Sequence, residues 1–136
     1  MSFETALRKR LLDDAAVRAI VSTRVDWSLR PQGDPYPSVV LTLVSDPRPQ
    51  HLNGFHPLRE TRVQIDCYAA HDKPAQAVAL RDAVIEAISV PRVNLNGVRF
   101  DRVRINNVLD RGDQTETGTF VHRQLIDASF WQGKTE

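Results

Sequence analysis

The sequence predicts an α+β fold in which a largely antiparallel β-sheet carries two helices packed on one face. Residues 61–69 alternate apolar and polar side chains, as in a strand that is covered on one side. Residues 77–88 repeat apolar side chains at helical spacing, and the Asn96-Gly97 pair is typical of a two-residue hairpin turn. The strands come in runs that a helix interrupts, and most are joined by short turns. This order of elements is typical of the α+β class.

The first half of the chain supplies one helix and one strand. A helix over residues 3–21 is predicted by its apolar spacing, with Ser2 and Asp14 as capping residues and a kink or break at Asp13 and Asp14. After a proline-rich loop, residues 38–44 form a β-branched run. We predict that this run is a central strand.

The second half supplies a helix, a hairpin and two further strands. Asp72 is the predicted N-cap of the helix, Pro74 lies in its first turn, and the helix ends before Pro91. The hairpin leads into a strand that starts at Val98, and a final strand covers residues 120–131. The order of elements therefore agrees with the predicted α+β class.

Length and composition indicate one folded domain over residues 1–136, with a long loop at 46–59 and a polar tail at 132–136. The chain has 136 residues, of which 41% are hydrophobic and 26% are charged, as in ordinary globular domains. The net charge of +1 lacks the excess expected of a dedicated nucleic-acid or membrane-surface binder. No apolar run is long enough to cross a bilayer, and no signal peptide is indicated, so we expect a protein kept in the cytoplasm where it is made.

The sequence carries none of the common catalytic or metal-binding motifs. The chain has no glycine-rich phosphate loop, no nucleophile elbow and no His-Glu-x-x-His motif. The loop residues His51 and His56 and the later His71 are irregularly spaced and stand beside no cluster of carboxylates in the sequence. Cys67 falls on the apolar side of its strand, where a buried structural thiol is expected. We therefore expect no catalytic residue, no cofactor and no metal.

A basic cluster leaves nucleic-acid binding open as an alternative. Four arginines lie around the predicted hairpin, namely Arg92, Arg99, Arg102 and Arg104. Arg102 and Arg104 share one face of their strand, and such a surface can contact phosphates. Recognition of RNA bases needs exposed aromatic rings, whereas this strand offers Val103 and Ile105. The simpler interpretation is a solvated face paired with Asp101, Asp110 and Glu116, and a small RNA- or ligand-binding domain is the alternative from a different class.

The order of several segments resembles one known family. The segments are "ETALRKRLLDDAAVRAIVSTRV", "RPQGDPYPSVVLTLVS", "RETRVQIDCYA", "AVALRDAVIEAI", "NLNGVRF" and "TGTFVHRQLIDASFW". From about Leu7 to Trp131 the chain resembles the tail-completion, or tail-terminator, family of long-tailed bacteriophages and gene transfer agents. The shared segments are structural and supply no active site.

The resemblance implies a structural role in a virion. It implies a tail-terminator-like α+β subunit that forms a homo-oligomeric ring, commonly a hexamer, on the head-proximal end of the tail tube. The partners implied are the tail tube protein and the head-tail connector or stopper protein, with DNA passing through the ring without sequence-specific binding. The implied place is the tail or neck of the virion, assembled in the host cytoplasm. A head-completion or adaptor protein of the neck is the alternative within the same biology.

Two sets of residues are candidates for contacts in such an assembly. The loop at 46–59 combines apolar residues with basic and proline residues, and exposed apolar side chains can anchor a loop on a partner. Its candidate interface residues are Arg48, His51, Leu52, Phe55, His56 and Leu58. The second candidate is a basic face that lines the channel or meets a neighbouring subunit, formed by Arg62, Arg102 and Arg104.

Overall fold

The computed structural model describes residues 2–31, 35–51, 54–55, 58–114 and 118–134. Three helices lie in these ranges: α1 (Phe3–Asp13), α2 (Ala15–Val21) and α3 (Pro74–Ser89). The strands are β1 (Val25–Trp27), β2 (Ser38–Ser45), β3 (Gln50–His51), β4 (Gly54–Phe55), β5 (Arg59–Ala70), β6 (Val93–Leu95), β7 (Val98–Asp110), β8 (Asp113–Gln114) and β9 (Phe120–Lys134).

The N-terminal helical region breaks where the sequence predicts. Ser2 Oγ accepts the N–H of Thr5 at 3.2 Å and so caps α1. Asp14 Oδ1 accepts the N–H of Val17 at 3.1 Å, while the N–H of Asp14 donates to the carbonyl of Leu11 at 3.2 Å. Asp14 therefore ends α1 and begins α2, because its backbone and its side chain satisfy groups of different helices.

The third helix begins one residue later than predicted. Lys73, and not Asp72, is the N-cap residue, and it makes no side-chain capping bond. Pro74 occupies the first turn, where its lack of an N–H costs nothing. Since a proline pushes the preceding residue out of the helical region, the cap falls on Lys73 whatever its side chain.

The main sheet is largely antiparallel, as predicted. Its strand order is β1-β2-β5-β9-β7-β6, with β8 paired to β9. Among the described residues of this sheet, β1 alone pairs in parallel, with β2, and the other strand pairs are antiparallel. The predicted strand at residues 38–44 lies inside the sheet, with β5 on one side and β1 on the other along residues 39–41, while β5 and β9 form the middle of the sheet.

The final strand extends beyond its predicted end. β9 continues to Lys134, and its last residues pair with the start of β7, with Gln132 opposite Phe100 and Lys134 opposite Val98. Gln132 is only 2% exposed. The first three residues of the predicted polar tail therefore belong to β9, and pairing with a distant strand buries Gln132 and Gly133 while Lys134 stays exposed. Residues 135 and 136 lie outside the described residues.

The predicted hairpin turn is confirmed. Leu95 pairs with Val98, and the two residues between them have positive φ angles, 50° at Asn96 and 83° at Gly97. A two-residue turn of this kind needs that backbone conformation at both positions, which asparagine and glycine tolerate best.

One face of the sheet, here called the helix face, forms the core with the helices. Val63, Ile65 and Cys67 of β5 are fully buried there, together with Leu7 of α1 and Leu80 of α3. Burial raises the pKa of the Cys67 thiol because desolvation disfavours the thiolate. The opposite side, here called the open face, carries Arg62 and its alternating neighbours on β5.

Candidate assembly surfaces

The long loop is fixed at its base by one carboxylate. Asp46, at the start of the loop, accepts bonds from Arg59 Nε at 2.9 Å and from Thr61 Oγ1 at 2.8 Å. Arg48, inside the loop, donates to the second oxygen of Asp46 at 3.0 Å, and Gln132 donates to Thr61 Oγ1 at 2.9 Å. The two ends of the loop are thus joined to each other and to β9.

The Asp46 carboxylate is held in its charged form. Partial burial opposes ionisation, but the bonds from Thr61, Arg59 and Arg48 favour it, and the net effect lowers the pKa of Asp46. The side chain of Asp46 is only 10% exposed. The cluster is therefore a firm anchor at neutral pH.

The loop carries a short hairpin that the sequence does not predict. β3 and β4 pair in antiparallel fashion, with Gln50 opposite Phe55 and His51 opposite Gly54. We call residues 46–59 the arm. Of its candidate contact residues, Arg48 joins the anchor and Leu58 is half-buried, while the structure describes only the backbone of His51 and Phe55. Leu52 and His56 lie outside the described residues.

The three arginines of the predicted basic face come together on the open face. The strand β9 lies between β5 and β7. Its residue Ser129 pairs with Arg62 of β5 on one side and with Arg104 of β7 on the other, and its residue Trp131 pairs with Arg102 of β7. The strand register therefore places side chains from three strands in one patch, here called the arginine patch. This grouping agrees with the prediction that Arg102 and Arg104 share a strand face.

Two of these arginines have carboxylate partners that were not predicted. Arg62 Nε donates to Asp127 Oδ1 at 2.8 Å, and its terminal nitrogen donates to the other oxygen. Arg104 lies 4.0 Å from Glu60 and donates to Asn106 Oδ1 at 2.9 Å. Of the acids named from the sequence, Asp101 pairs with Arg99 of the same cluster at 3.4 Å, as predicted, and Glu116 lies outside the described residues.

The charge on Asp127 is stabilised by its neighbours. The bonds from Arg62 lower the pKa of Asp127, partial burial opposes them, and Asn106 adds a further bond that favours the charged form. The same ion pair raises the pKa of Arg62. The pair is thus ionised over the whole physiological range, which leaves little free positive charge at this position.

An aromatic ring lies within the arginine patch, contrary to the expectation from the sequence. The Arg102 guanidinium lies 4.5 Å from the centre of the Trp131 ring, and that of Arg104 lies 5.8 Å away. These distances are those of cation–π contacts. The alternation of the final strand could have revealed Trp131, because it has the opposite parity to the buried Phe130. The ring already stacks on Arg102, so a nucleic-acid base would have to displace that contact.

The structure indicates no metal site or membrane span within the ranges it describes. No group of three or more potential ligand side chains converges among those residues. In the same ranges, none of the helices combines the length and the apolar character needed to cross a membrane.

Comparison with solved structures identifies the fold. A chain of a structure described as "Virion of native gene transfer agent (GTA) particle" shares 18% identity with a TM-score of 0.66, over 97% of this chain and 96% of that one. A second solved chain shares 16% identity with a TM-score of 0.57, over 98% and 95%. No curated protein matches the sequence. The protein therefore has an α+β fold that is also present in a subunit of a virion particle.

The family follows from the sequence match. The family model described as "Tail completion protein gp17" matches residues 5–130. The chain belongs to this family, which confirms the resemblance found in the sequence. It is accordingly a structural component of the tail of a phage or gene transfer agent particle.

Proposed function

We propose that the protein forms a homo-oligomeric ring, most simply a hexamer, on the head-proximal end of the tail tube, where it ends tube polymerisation and provides the joint to the head connector. The observation that carries this proposal is the tail-completion family match over residues 5–130. The similar chain from a gene transfer agent virion, which is covered almost completely, supports it at the level of the fold.

The proposed mechanism is geometric. One face of the ring fits the last ring of the tube, and the other face does not repeat that surface, so no further tube subunit can add. Subunits in such a ring meet head to tail around a closed rotation, which requires two different complementary surfaces on each copy. Neither step needs a cofactor or a catalytic group.

The arm is the proposed contact with a neighbouring subunit or with the tube. Its support is the anchor at Asp46, which fixes the base of the arm and limits the orientations open to it. A contact loop that is held at its base loses less conformational entropy when it binds.

The test is the mass and shape of the purified protein, alone and mixed with its tail tube protein, by light scattering and negative-stain microscopy. Closed rings, or caps at one end only of tubes that have stopped growing, are the expected results. A monomer that leaves tube growth unchanged would contradict the proposal. Caps on the head connector without any effect on tubes would instead support the head-completion alternative.

The same assay tests the arm. Replacing Leu52 and Phe55 with Ser should weaken rings or caps, because both residues are apolar and fall within residues 46–59 of the arm. Val78→Ser, at a 38% exposed position on α3, is the control for loss of an apolar surface side chain. Unchanged rings and caps in the arm variant would remove the arm from the interface.

A further inference from the structure

Two strands of the main sheet are paired along only part of one side. β1 has three residues and covers only Val39, Val40 and Leu41 of the eight-residue strand β2. Within the described residues, no strand pairs with the outer side of residues 42–45. We call this run the β2 edge.

Within the described residues, no strand pairs with the backbone groups of the β2 edge that point outward. The N–H of Val39 donates to the carbonyl of Arg24, and the carbonyl of Leu41 accepts from the N–H of Ser28. Backbone groups of alternate residues point to the same side of a strand, so those of Leu43 point to the same side as well, beyond the end of β1.

The second partly paired strand lies at the other end of the sheet. β6 has three residues and pairs only with Val98, Arg99 and Phe100 of the thirteen-residue strand β7. Among the described residues no strand covers the outer side of residues 102–110, which we call the β7 edge. The strand order places the two edges on opposite sides of one sheet.

Exposed apolar side chains concentrate at these edges. Four of the seven large apolar residues that are exposed in the described part of the chain lie on or beside them: Leu29, Leu43, Val44 and Val108. Residues 42–45 include no charged side chain, although natural edge strands are usually protected by charge. The β2 edge therefore has the side chains expected of an edge strand that pairs with a strand of another subunit.

Building on the proposed ring, we propose that its joint is a strand pair between the β2 edge of one copy and the β7 edge of the next. Within one copy β2 and β7 run in opposite directions, because three antiparallel pairs connect them. A rotation about an axis that runs roughly along the strands keeps these directions, so in such a ring the two edges meet antiparallel and the sheet continues from copy to copy. Leu43 then extends the apolar helix face beside the half-buried Val103 and Ile105 of the neighbour.

Pairing of the β2 edge with the β7 edge accounts for both edges, whereas pairing of like edges does not. Pairing of β2 edges with each other would make a two-fold dimer and leave both β7 edges without a partner. Pairing of unlike edges satisfies both and propagates around a ring, as head-to-tail contacts require. Strand addition of this type supplies affinity through backbone hydrogen bonds, and side chains set the register.

The test places lysines on both faces of each edge. The variants are Leu43→Lys with Val44→Lys on the β2 edge, and Asn107→Lys with Val108→Lys on the β7 edge. The control is Val78→Lys with Val90→Lys, at valines that are 38% and 57% exposed away from both edges. Circular dichroism melting establishes that each variant is folded, and light scattering and microscopy measure assembly.

We expect both edge variants to lose rings, or tube caps, under conditions in which the wild type and the control form them. An equal mixture of the two edge variants should form a heterodimer and nothing larger, because each pair then has one intact joint. Folded edge variants that still assemble would overturn the edge pairing while leaving the proposed ring in place. Variants that stay monomeric when mixed at high concentration would also overturn it. A wild type that forms neither rings nor caps would contradict the proposed function itself.

Discussion

At the scale of single residues, the least expected feature is the burial of Arg10. This side chain is 7% exposed, its guanidinium lies 5.0 Å from the centre of the Phe100 ring, and it donates to the carbonyls of Ile88 at 3.2 Å and Val90 at 2.6 Å. Burial lowers the pKa of Arg10 through desolvation, yet arginine stays charged in proteins. Arg10 therefore satisfies carbonyls at the C-terminal end of α3, where a positive charge is favourable.

Replacing Arg10 with Met tests this role. The variant keeps most of the side-chain volume but removes two charge-assisted bonds, so we expect the free energy of unfolding to fall by about 1–3 kcal/mol. Chemical denaturation followed by circular dichroism measures the change, with Arg18→Met on the exposed side of α2 as control. A variant as stable as the wild type would mean that the desolvation cost of the buried cation cancels its bonds.

The residues of the arginine patch show what could be predicted at this scale. The parity of Arg102 and Arg104 is a local property of one strand, and it was predicted. The partners of Arg62 and Arg102 lie on β9, and the Arg62–Asp127 pair spans 65 positions in the sequence. Such contacts depend on strand order and on the two irregularities in the β7–β9 register, neither of which a single sequence reveals.

At the scale of elements, strong periodicity was predictive and short segments were not. The alternation of β5 and the apolar stripe of α3 identified both elements. β1 was missed because Val25, Asp26 and Trp27 are too few to show a period, although the Trp27 indole donates to the Glu4 carbonyl at 2.7 Å and ties β1 to α1. The hairpin in the arm was missed for the same reason, since β3 and β4 have two residues each.

The anchor of the arm gives a prediction for Asp46→Asn. The amide cannot provide a charged acceptor for Arg48 and Arg59, so we expect the arm to open more often and chymotrypsin to cut near Phe55 about tenfold faster. Mass mapping of the fragments measures the rate, and Asp13→Asn, at an exposed ion pair on α1, is the control. Equal cleavage rates in the wild type and in Asp46→Asn would show that the anchor does not hold the arm.

Acid should release the same anchor in the wild type. A carboxylate whose pKa is lowered on folding stabilises the folded state above its unfolded pKa, and this contribution disappears as the pH falls through the lowered value. The arm should therefore be held at neutral pH and should loosen only below about pH 4, the ordinary range of an aspartate. The measurement is hydrogen exchange of the arm amides in the wild type and in Asp46→Asn over a range of pH. The exchange rates of the two proteins should differ at neutral pH and should converge as the pH falls below about 4.

At the scale of the whole molecule, the pairing of arginines with carboxylates determines how strongly the protein binds DNA. The net charge is +1, and both Arg62 and Arg104 lie beside carboxylates. We expect only weak binding of duplex DNA at physiological salt, with a dissociation constant of about 10⁻⁴ M, at the weak end of non-specific binding. A ring with such a surface would let DNA pass without holding it.

Removing the paired carboxylates should change this behaviour. Glu60→Gln with Asp127→Asn frees the two arginines, so binding of duplex DNA should become tighter and more dependent on salt. Fluorescence anisotropy of a labelled duplex over a range of salt concentrations measures both effects, with Asp82→Asn on α3 as control. Tight, strongly salt-dependent binding by the wild type would instead favour the nucleic-acid-binding alternative.

The buried thiol of Cys67 has a practical consequence. It is the only cysteine in the chain, and burial keeps it away from reagents and in its unreactive protonated form. A cysteine introduced at any surface position would therefore be the single site of maleimide labelling in an otherwise native subunit. Gold or fluorophore tags could then map each surface of the protein within assembled particles, without a cysteine-free background having to be made first.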